Sequence, residues 1–208
     1  MPADRDVGAF NDRAPGYESG WRGRLHHEIA DRTVGAALAC VPAPHRVLDV
    51  GCGTGYALRQ LAGRLPGARQ LAGIDAAPQM VEVAGRLADD ERLAFALGTA
   101  ERLPFPDSAF DLVISTTSFD HWADQAAGIA ECGRVLAPGA YLVLTDLFSA
   151  WLAPTLTGGR RAKARTRSRA TRLLTAAGLR EPRWHHGYAM IISTVTAVRA
   201  VPPAAPRG

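Results

Sequence analysis

The stretch Val47-Leu48-Asp49-Val50-Gly51-Cys52-Gly53-Thr54-Gly55 decides the reading of this chain. An apolar strand runs into a glycine-rich turn, and Tyr56-Ala57-Leu58-Arg59-Gln60-Leu61 follows at helical apolar spacing. Gly51, Gly53 and Gly55 strip Cβ atoms from one bend, so a ligand can touch backbone there. Asp49 puts a carboxylate at the end of the strand, where open α/β sheets take their ligands. Such an acid favours a ligand with a positive group close by. A dinucleotide fingerprint needs Gly-x-Gly-x-x-Gly, and its third glycine position falls on Tyr56, too large for close helix–strand packing. The acid would also repel a pyrophosphate.

Outward from the turn, strands and helices alternate. Strands are predicted over 46–50, 69–74, 93–97, 110–115 and 140–146, and helices over 24–40, 56–64, 78–87 and 123–136. This rhythm implies a parallel sheet with helices on both faces. The end breaks it: a helix over 160–177 stops at Gly178, and two β-like runs, 183–188 and 191–198, lie too close for a crossover, so they form an antiparallel hairpin. Residues 1–23 are polar and glycine-rich, with Phe10, Tyr17 and Trp21 spaced through them, and read as a lid rather than core. Residues 201–208, rich in proline and alanine, read as a disordered tail.

At 208 residues, 47% hydrophobic and 21% charged, the chain has the composition of a globular protein. One domain over 1–200 is expected: a lid and helix over 1–45, a ligand-binding core over 46–146, and an insert, basic helix and hairpin over 147–200. No apolar run approaches the ~20 residues of a membrane span, and the N-terminus lacks a signal-peptide core, so a cytoplasmic protein is expected. Cys40, Cys52 and Cys132 have no metal-ligand spacing and read as reduced thiols, and no metal site is expected.

The order Asp49-x-Gly51-x-Gly53-x-Gly55 resembles the first motif of class I S-adenosylmethionine-dependent methyltransferases, of the small-molecule and quinone type. The likeness runs closely from 46 to 146 and more loosely through Phe10-Asn11-Asp12-Arg13-Ala14-Pro15-Gly16-Tyr17. It implies an α/β Rossmann-like three-layer sandwich, a seven-stranded, mostly parallel sheet ending in an antiparallel hairpin. The implied cofactor is S-adenosylmethionine, with S-adenosylhomocysteine as product. The likeness carries cofactor contacts to Asp49, Gly51, Cys52 and Gly53, to Ala76 and Met80, and to Thr116 at the end of the fourth strand. Tyr17 matches a family tyrosine that covers the cofactor. Asp75 ends the second strand and can accept bonds from both ribose hydroxyls; the alternative is a helix cap before Pro78. Leu97-Gly98-Thr99-Ala100-Glu101-Arg102-Leu103-Pro104-Phe105 resembles the family's adenine-side motif, with Ala100 and Glu101 at the ring edge. Thr99 stands where the family usually has an acid, which implies a neutral and weaker acceptor.

Phe119-Asp120-His121-Trp122 follows the fourth strand. His121 can take a proton from an acceptor group, because imidazole titrates near neutrality, and Asp120 is an adjacent alternative base. A second reading has an aspartate cap the next helix while His121 and Trp122 wall the pocket. Asp111 reads as structural. Phe148, Trp151, Leu152, Pro154 and Leu156 read as a pocket wall or as ordinary core. Seven of the thirteen residues 160–172 are basic, but no aromatic residues interleave with them, so a solvated or self-assembling face is expected there and nucleic acid is a poor partner; the expected partner is a small-molecule substrate. The expected activity is methyl transfer to an O, N or C nucleophile of a small molecule. Two other classes stand beside it. One is a nucleic-acid methyltransferase guided by the basic helix, although Ser115-Thr116-Thr117-Ser118 stands where amino methylators carry Asn/Asp-Pro-Pro-Tyr/Phe. The other is a protein of this fold that binds the cofactor without methylating, as a cyclase or partner subunit.

Overall fold

The computed structural model describes residues 5–148, 166–188 and 192–201. Arg46–Val50 forms β1, buried from Val47 onward. Side-chain alternation sends Val47 to a cluster with Val34, Ala37 and Leu58, and sends Leu48 and Val50 to a second cluster with Phe110 and Ile129 on the opposite face. A strand covered on both faces reads as a continuous apolar run, which is why this one was legible.

The elements before β1 are α1 (Arg5–Arg13), a 3₁₀ turn (Ala14–Gly16) and α2 (Gly20–Cys40). After it come α3 (Tyr56–Arg64), β2 (Gln70–Asp75), α4 (Pro78–Leu87), β3 (Leu93–Leu97), β4 (Phe110–Thr116) and a second 3₁₀ turn (Phe119–His121). Then follow α5 (Gln125–Val135), β5 (Leu136–Leu147), α6 (Arg167–Ala176), β6 (Leu179–Tyr188) and β7 (Ile192–Arg199). The strands make one seven-stranded sheet in the order β3-β2-β1-β4-β5-β7-β6. The first five are parallel, and β7 pairs antiparallel with both β5 and β6. α2 and α3 cover one face; α5 and α6 cover the other. This is the expected three-layer α/β sandwich with its terminal hairpin.

Three boundaries move, each for a physical reason. Residues 5–23 are folded rather than loose: α2 begins at Gly20, and Ala14 is buried against Ala77, Met80 and Val83, with Val7, Phe10 and Tyr17 packed around them. Trp21, counted with those aromatics in the sequence, faces solvent. β5 starts at Leu136, which pairs with Phe110 before a register shift; the Pro138-Gly139 turn lies within it, with Gly139 at φ +80°. β6 starts at Leu179, ahead of the expected 183. Its register shifts between Arg180 and Arg183, around Glu181 at φ +52° and Pro182, so the bulge interrupts the β pattern. Trp151, Leu152, Pro154, Leu156, the basic positions 160–165 and the tail 202–208 lie outside the described residues. Among the described residues no helix is long and apolar enough to cross a membrane.

Asp111 ties the start of β1 to β4. Its Oδ2 accepts the N–H groups of His45 and Arg46, both at 3.0 Å, and its Oδ1 accepts from the Arg46 guanidinium at 2.9 Å. Asp111→Ala removes three bonds to one carboxylate far from the carboxyl ends of the strands. We expect it to lower unfolding free energy by about 1–3 kcal/mol in urea melts while ligand affinity stays within about twofold. A loss of affinity without loss of stability would refute a purely structural role.

Candidate functional site

The chain passes from β1 to β2 and β3 on one side and returns to β4 and β5 on the other, so the carboxyl ends of β1 and β4 open a crevice where the order reverses. The glycine turn lies there. Gly51, Gly53 and Gly55 have φ of +76°, +53° and +80°, a region that side chains with a Cβ avoid. The end of β2 holds the turn: the Ile74 carbonyl accepts from Gly51 N–H at 2.7 Å and Cys52 N–H at 3.0 Å, and Asp75 Oδ2 accepts from Gly53 N–H at 2.8 Å. A Cβ on Gly51 would stand 1.8 Å from Ser118 Oγ, and one on Gly55 2.5 Å from the Phe95 ring. Gly53 is different. A Cβ there would meet only Tyr17, at 4.0 Å, so its bare backbone borders open space.

Two cavities flank this turn. The larger, about 460 Å³, falls within the roughly 300–1,000 Å³ of small-ligand pockets. Gly51, Gly53, Asp75 and Ala76 border it from the ends of β1 and β2. Met80 borders it from α4, and Thr99, Ala100 and Glu101 from the segment after β3. Thr116, Thr117, Ser118, His121 and Trp122 border it from β4 and the turn beyond, and Val7, Phe10 and Tyr17 from the N-terminal segment. The smaller cavity, about 60 Å³, is bordered by Asp49 and Cys52 with residues of α2. Tyr17, Gly51, Gly53 and Thr116 belong to both walls. Every residue singled out for cofactor contact therefore borders one cavity or the other. Of the two candidate bases, His121 borders the larger cavity, with the Phe10 ring edge-on at 4.9 Å; Asp120 borders neither.

Several bordering or supporting residues had no sequence signal. Asn11 Oδ1 accepts the Gln79 N–H at 3.1 Å, so α1 caps the first turn of α4. The cap considered for Asp75 thus falls to another residue; Asp75 Oδ1 instead accepts the Ala77 N–H at 2.9 Å in a local turn. Glu18 accepts from Thr54 Oγ1 and from the Arg59 guanidinium, each at 2.6 Å, fastening the N-terminal segment to the glycine turn. Asp146 ends the fifth strand's buried run. Its Oδ2 accepts the Asp120 N–H at 3.2 Å and fixes the turn that carries His121.

The electrostatics favour a cation. Burial, then the Asp75 charge, pushes the Asp49 carboxyl up to about 8, and its Oδ1 has no hydrogen-bond partner. Burial also raises Asp75, opposed by the N–H groups of Ala77 and Gly53. Burial, then Asp75, pushes the Tyr17 phenol up to about 12. Burial raises Asp146 to about 6 against the N–H bonds it accepts. Among the described residues no cluster of His, Cys, Asp or Glu is arranged to hold a metal ion.

Comparison with known proteins agrees with this geometry. Residues 48–144 match the family model described as a methyltransferase domain. The chain is 39% identical over 133 residues to a demethylmenaquinone methyltransferase of Deinococcus radiodurans, covering 63% of this chain and 51% of that protein. It is 42% identical over 142 residues to the Thermus thermophilus protein of the same name, covering 66% and 63%. The chain thus spans roughly half to three-fifths of the length of these two relatives. In structure it superposes on a chain from the complex of a Haloferax volcanii methyltransferase activator, Trm112, with a putative methyltransferase. The TM-score is 0.80 and identity 21%, over 97% of this chain and 100% of that one, a likeness of fold.

The raised Asp49 pKa has a consequence for stability. An aspartate titrates near 3.9 when unfolded, against about 8 here, so between these values the folded state holds the extra proton. The stabilisation from Asp49 is complete below the unfolded pKa and is lost as pH rises to the folded one. Asp49→Asn carries no such charge. In ligand-free melts its Tm relative to wild type should rise by several degrees between pH 4 and 8. A pH-independent difference would mean that Asp49 is not held in its neutral form.

Proposed function

We propose that this chain, whose residues 48–144 match a methyltransferase-domain model, is an S-adenosylmethionine-dependent methyltransferase that transfers a methyl group to an O, N or C nucleophile of a small molecule in the cytoplasm. One observation carries the reading. The bare Gly53 backbone and the Asp75 carboxylate border one cavity, beside a buried acid, Asp49, whose Oδ1 has no hydrogen-bond partner. A ligand with a positive group, a diol and a flat ring meets those features in turn. Asp49 answers the charge, Asp75 has lone pairs left for the ribose, and Met80, Thr99, Ala100 and Glu101 border the space for the base. The thioadenosyl ligand supplies an electrophilic methyl carbon; the protein aligns the acceptor with it and excludes water.

The acceptor side is aromatic and apolar where it is described: Val7, Phe10, Tyr17 and Trp122 border it, with His121 as the titratable group. That suits a small apolar or aromatic acceptor, in keeping with relatives named for demethylmenaquinone. The basic segment gives less support to a nucleic-acid substrate. Of its described cations, Arg167 donates to Ser193 Oγ at 2.9 Å and lies over the Trp184 ring at 5.5 Å. Incubation with methyl-labelled cofactor and a panel of phenols, quinols and amines should place label in an extractable small molecule. Label in nucleic acid, or a bound cofactor with no transfer to any acceptor, would favour the other two classes.

Two variants divide binding from chemistry. Asp75→Ala should weaken S-adenosylhomocysteine by about 2–4 kcal/mol in calorimetry, with the fold checked by its melting curve. Unchanged affinity would remove Asp75 from the ribose. If His121 accepts the proton, His121→Ala should slow transfer by about 10²–10⁴-fold at near-normal cofactor affinity. A loss under about tenfold would make His121 an aligning wall instead.

A further inference from the structure

β3 lies at an edge of the sheet: among the described residues it pairs with β2 alone. Its register, from Leu71↔Leu93 to Asp75↔Leu97, fixes where its backbone points. Leu71 N–H donates to the Arg92 carbonyl and Gly98 N–H to the Asp75 carbonyl, both at 3.0 Å. A parallel ladder uses every second residue, so Arg92, Ala94, Ala96 and Gly98 turn their backbone groups toward β2. Leu93, Phe95 and Leu97 turn theirs outward. The Leu93 N–H donates to the Asp90 carbonyl at 3.1 Å. The N–H groups of Phe95 and Leu97, and the carbonyls of all three residues, meet no strand among the described residues.

Folded proteins guard such an edge with charged side chains or proline. Leu93-Ala94-Phe95-Ala96-Leu97 has neither. Ala94 and Ala96 are exposed, and Leu97 is 59% exposed. Leu87, 42% exposed, ends α4, from which the chain turns into β3 at Leu93. Open backbone alone accepts any strand, and the side chains select which. Leu-Ala-Phe-Ala-Leu reads the same in both directions. An antiparallel pair about a two-fold axis at Phe95 sets Leu93 against Leu97, Ala94 against Ala96 and Phe95 against itself. The outward-turned residues are symmetric about Phe95 as well. The N–H groups of Phe95 and Leu97 in one copy therefore meet the carbonyls of Phe95 and Leu93 in the other. Beyond the strand, Arg92 falls opposite Gly98 and Glu91 opposite Thr99, so no like charges oppose each other. The Arg92 guanidinium is turned back to Asp90 and the Ala62 carbonyl, each at 2.8–2.9 Å.

We propose that a second copy of this chain covers the edge: two copies pair antiparallel through β3 about a two-fold axis at Phe95 and share one continuous sheet. Leu97 of each copy then lies at the Leu93 end of the other, the end at which α4 leaves Leu87 exposed, so the apolar contact extends from strand to helix. The assignment is independent of what the cavities bind.

Sedimentation of the full chain tests it. Wild type should run as a dimer at micromolar concentration. Ala94→Lys/Ala96→Lys puts like charges across both alanine pairs and should raise the dimer dissociation constant at least about tenfold. Ala94→Glu/Ala96→Lys puts opposite charges across the same pairs and should dissociate no more readily than wild type. Both variants replace exposed alanines, and melting curves check that they fold. Leu97→Pro removes an outward N–H without touching the bonds to β2, and it should also weaken the dimer. A monomeric wild type overturns the proposal and leaves the edge to a strand of another protein. A dimer that both double variants leave intact places the contact elsewhere and overturns it too. So does a dimer that both disrupt alike, because the antiparallel register is what separates them. A Leu97→Pro protein as dimeric as wild type overturns it as well.

Discussion

The site depends on the bonds from the end of β2 to the turn after β1. Three glycines in left-handed conformations cannot hold a turn by themselves, since glycine loses more freedom on ordering than any other residue. The Ile74 carbonyl and the Asp75 carboxylate supply what the turn lacks, and the parallel register Val50↔Ile74 brings them within reach. That register requires close packing beneath it. A Cβ on Gly73 would stand 2.6 Å from the Phe95 ring and 2.8 Å from Cys52 Sγ, so the bare backbone of β2 admits both side chains. Asp75 serves the glycine turn through Oδ2, its Oδ1 accepts the Ala77 N–H, and the residue borders the larger cavity. The same carboxylate thus shapes the turn and borders the cavity beside it.

The core was legible in the sequence because its signals are local. A strand buried on both faces gives an apolar run, a tight bend gives glycines, and a helix after the bend gives a period near 3.6. The N-terminal segment was not legible because its anchors are polar and distant. Asn11 reaches Gln79, and Glu18 reaches Thr54 and Arg59. No composition rule marks one asparagine or glutamate as the partner of a residue dozens of positions away. The β6 start was hidden by a bulge carrying Pro182, and Asp146 was visible only as the end of a strand. His27 stood inside a helix that read as a simple amphipathic cover for the sheet.

Those polar anchors give the N-terminal segment a definite role. It contributes Phe10 and Tyr17 to the larger cavity and His27 to the smaller, so the residues that close the site precede the motif that announces it. Charge-assisted bonds of 2.6 Å are among the stronger polar contacts available to a segment with little apolar area. They fasten it to the glycine turn itself rather than to a remote surface. The wall and the floor of the site are therefore mechanically one unit.

Burial of polar groups does not by itself mark a site, and the α2-facing side of this sheet shows why. Thr33, Thr145 and Thr194 are also buried there, yet Thr33 Oγ1 bonds Thr145 Oγ1 at 2.9 Å and Thr145 Oγ1 bonds Thr194 Oγ1 at 2.8 Å. Such a chain is satisfied internally and joins α2 to β5 and β7. Ser115 Oγ lacks a partner but borders neither cavity, and an unpaired hydroxyl costs far less than a carboxylate. Asp49 differs from all of these. It is acidic, 2% exposed, unpaired at Oδ1 and open to a cavity. A hydrophobic residue in its place would suit the fold better, because it would remove a buried acid with no bond to make. Its presence near the end of a strand buried on both faces is a local conflict between stability and something else. A positively charged group in the cavity would resolve that conflict, so the misfit in β1 bears on a ligand's charge where the glycines bear on its shape.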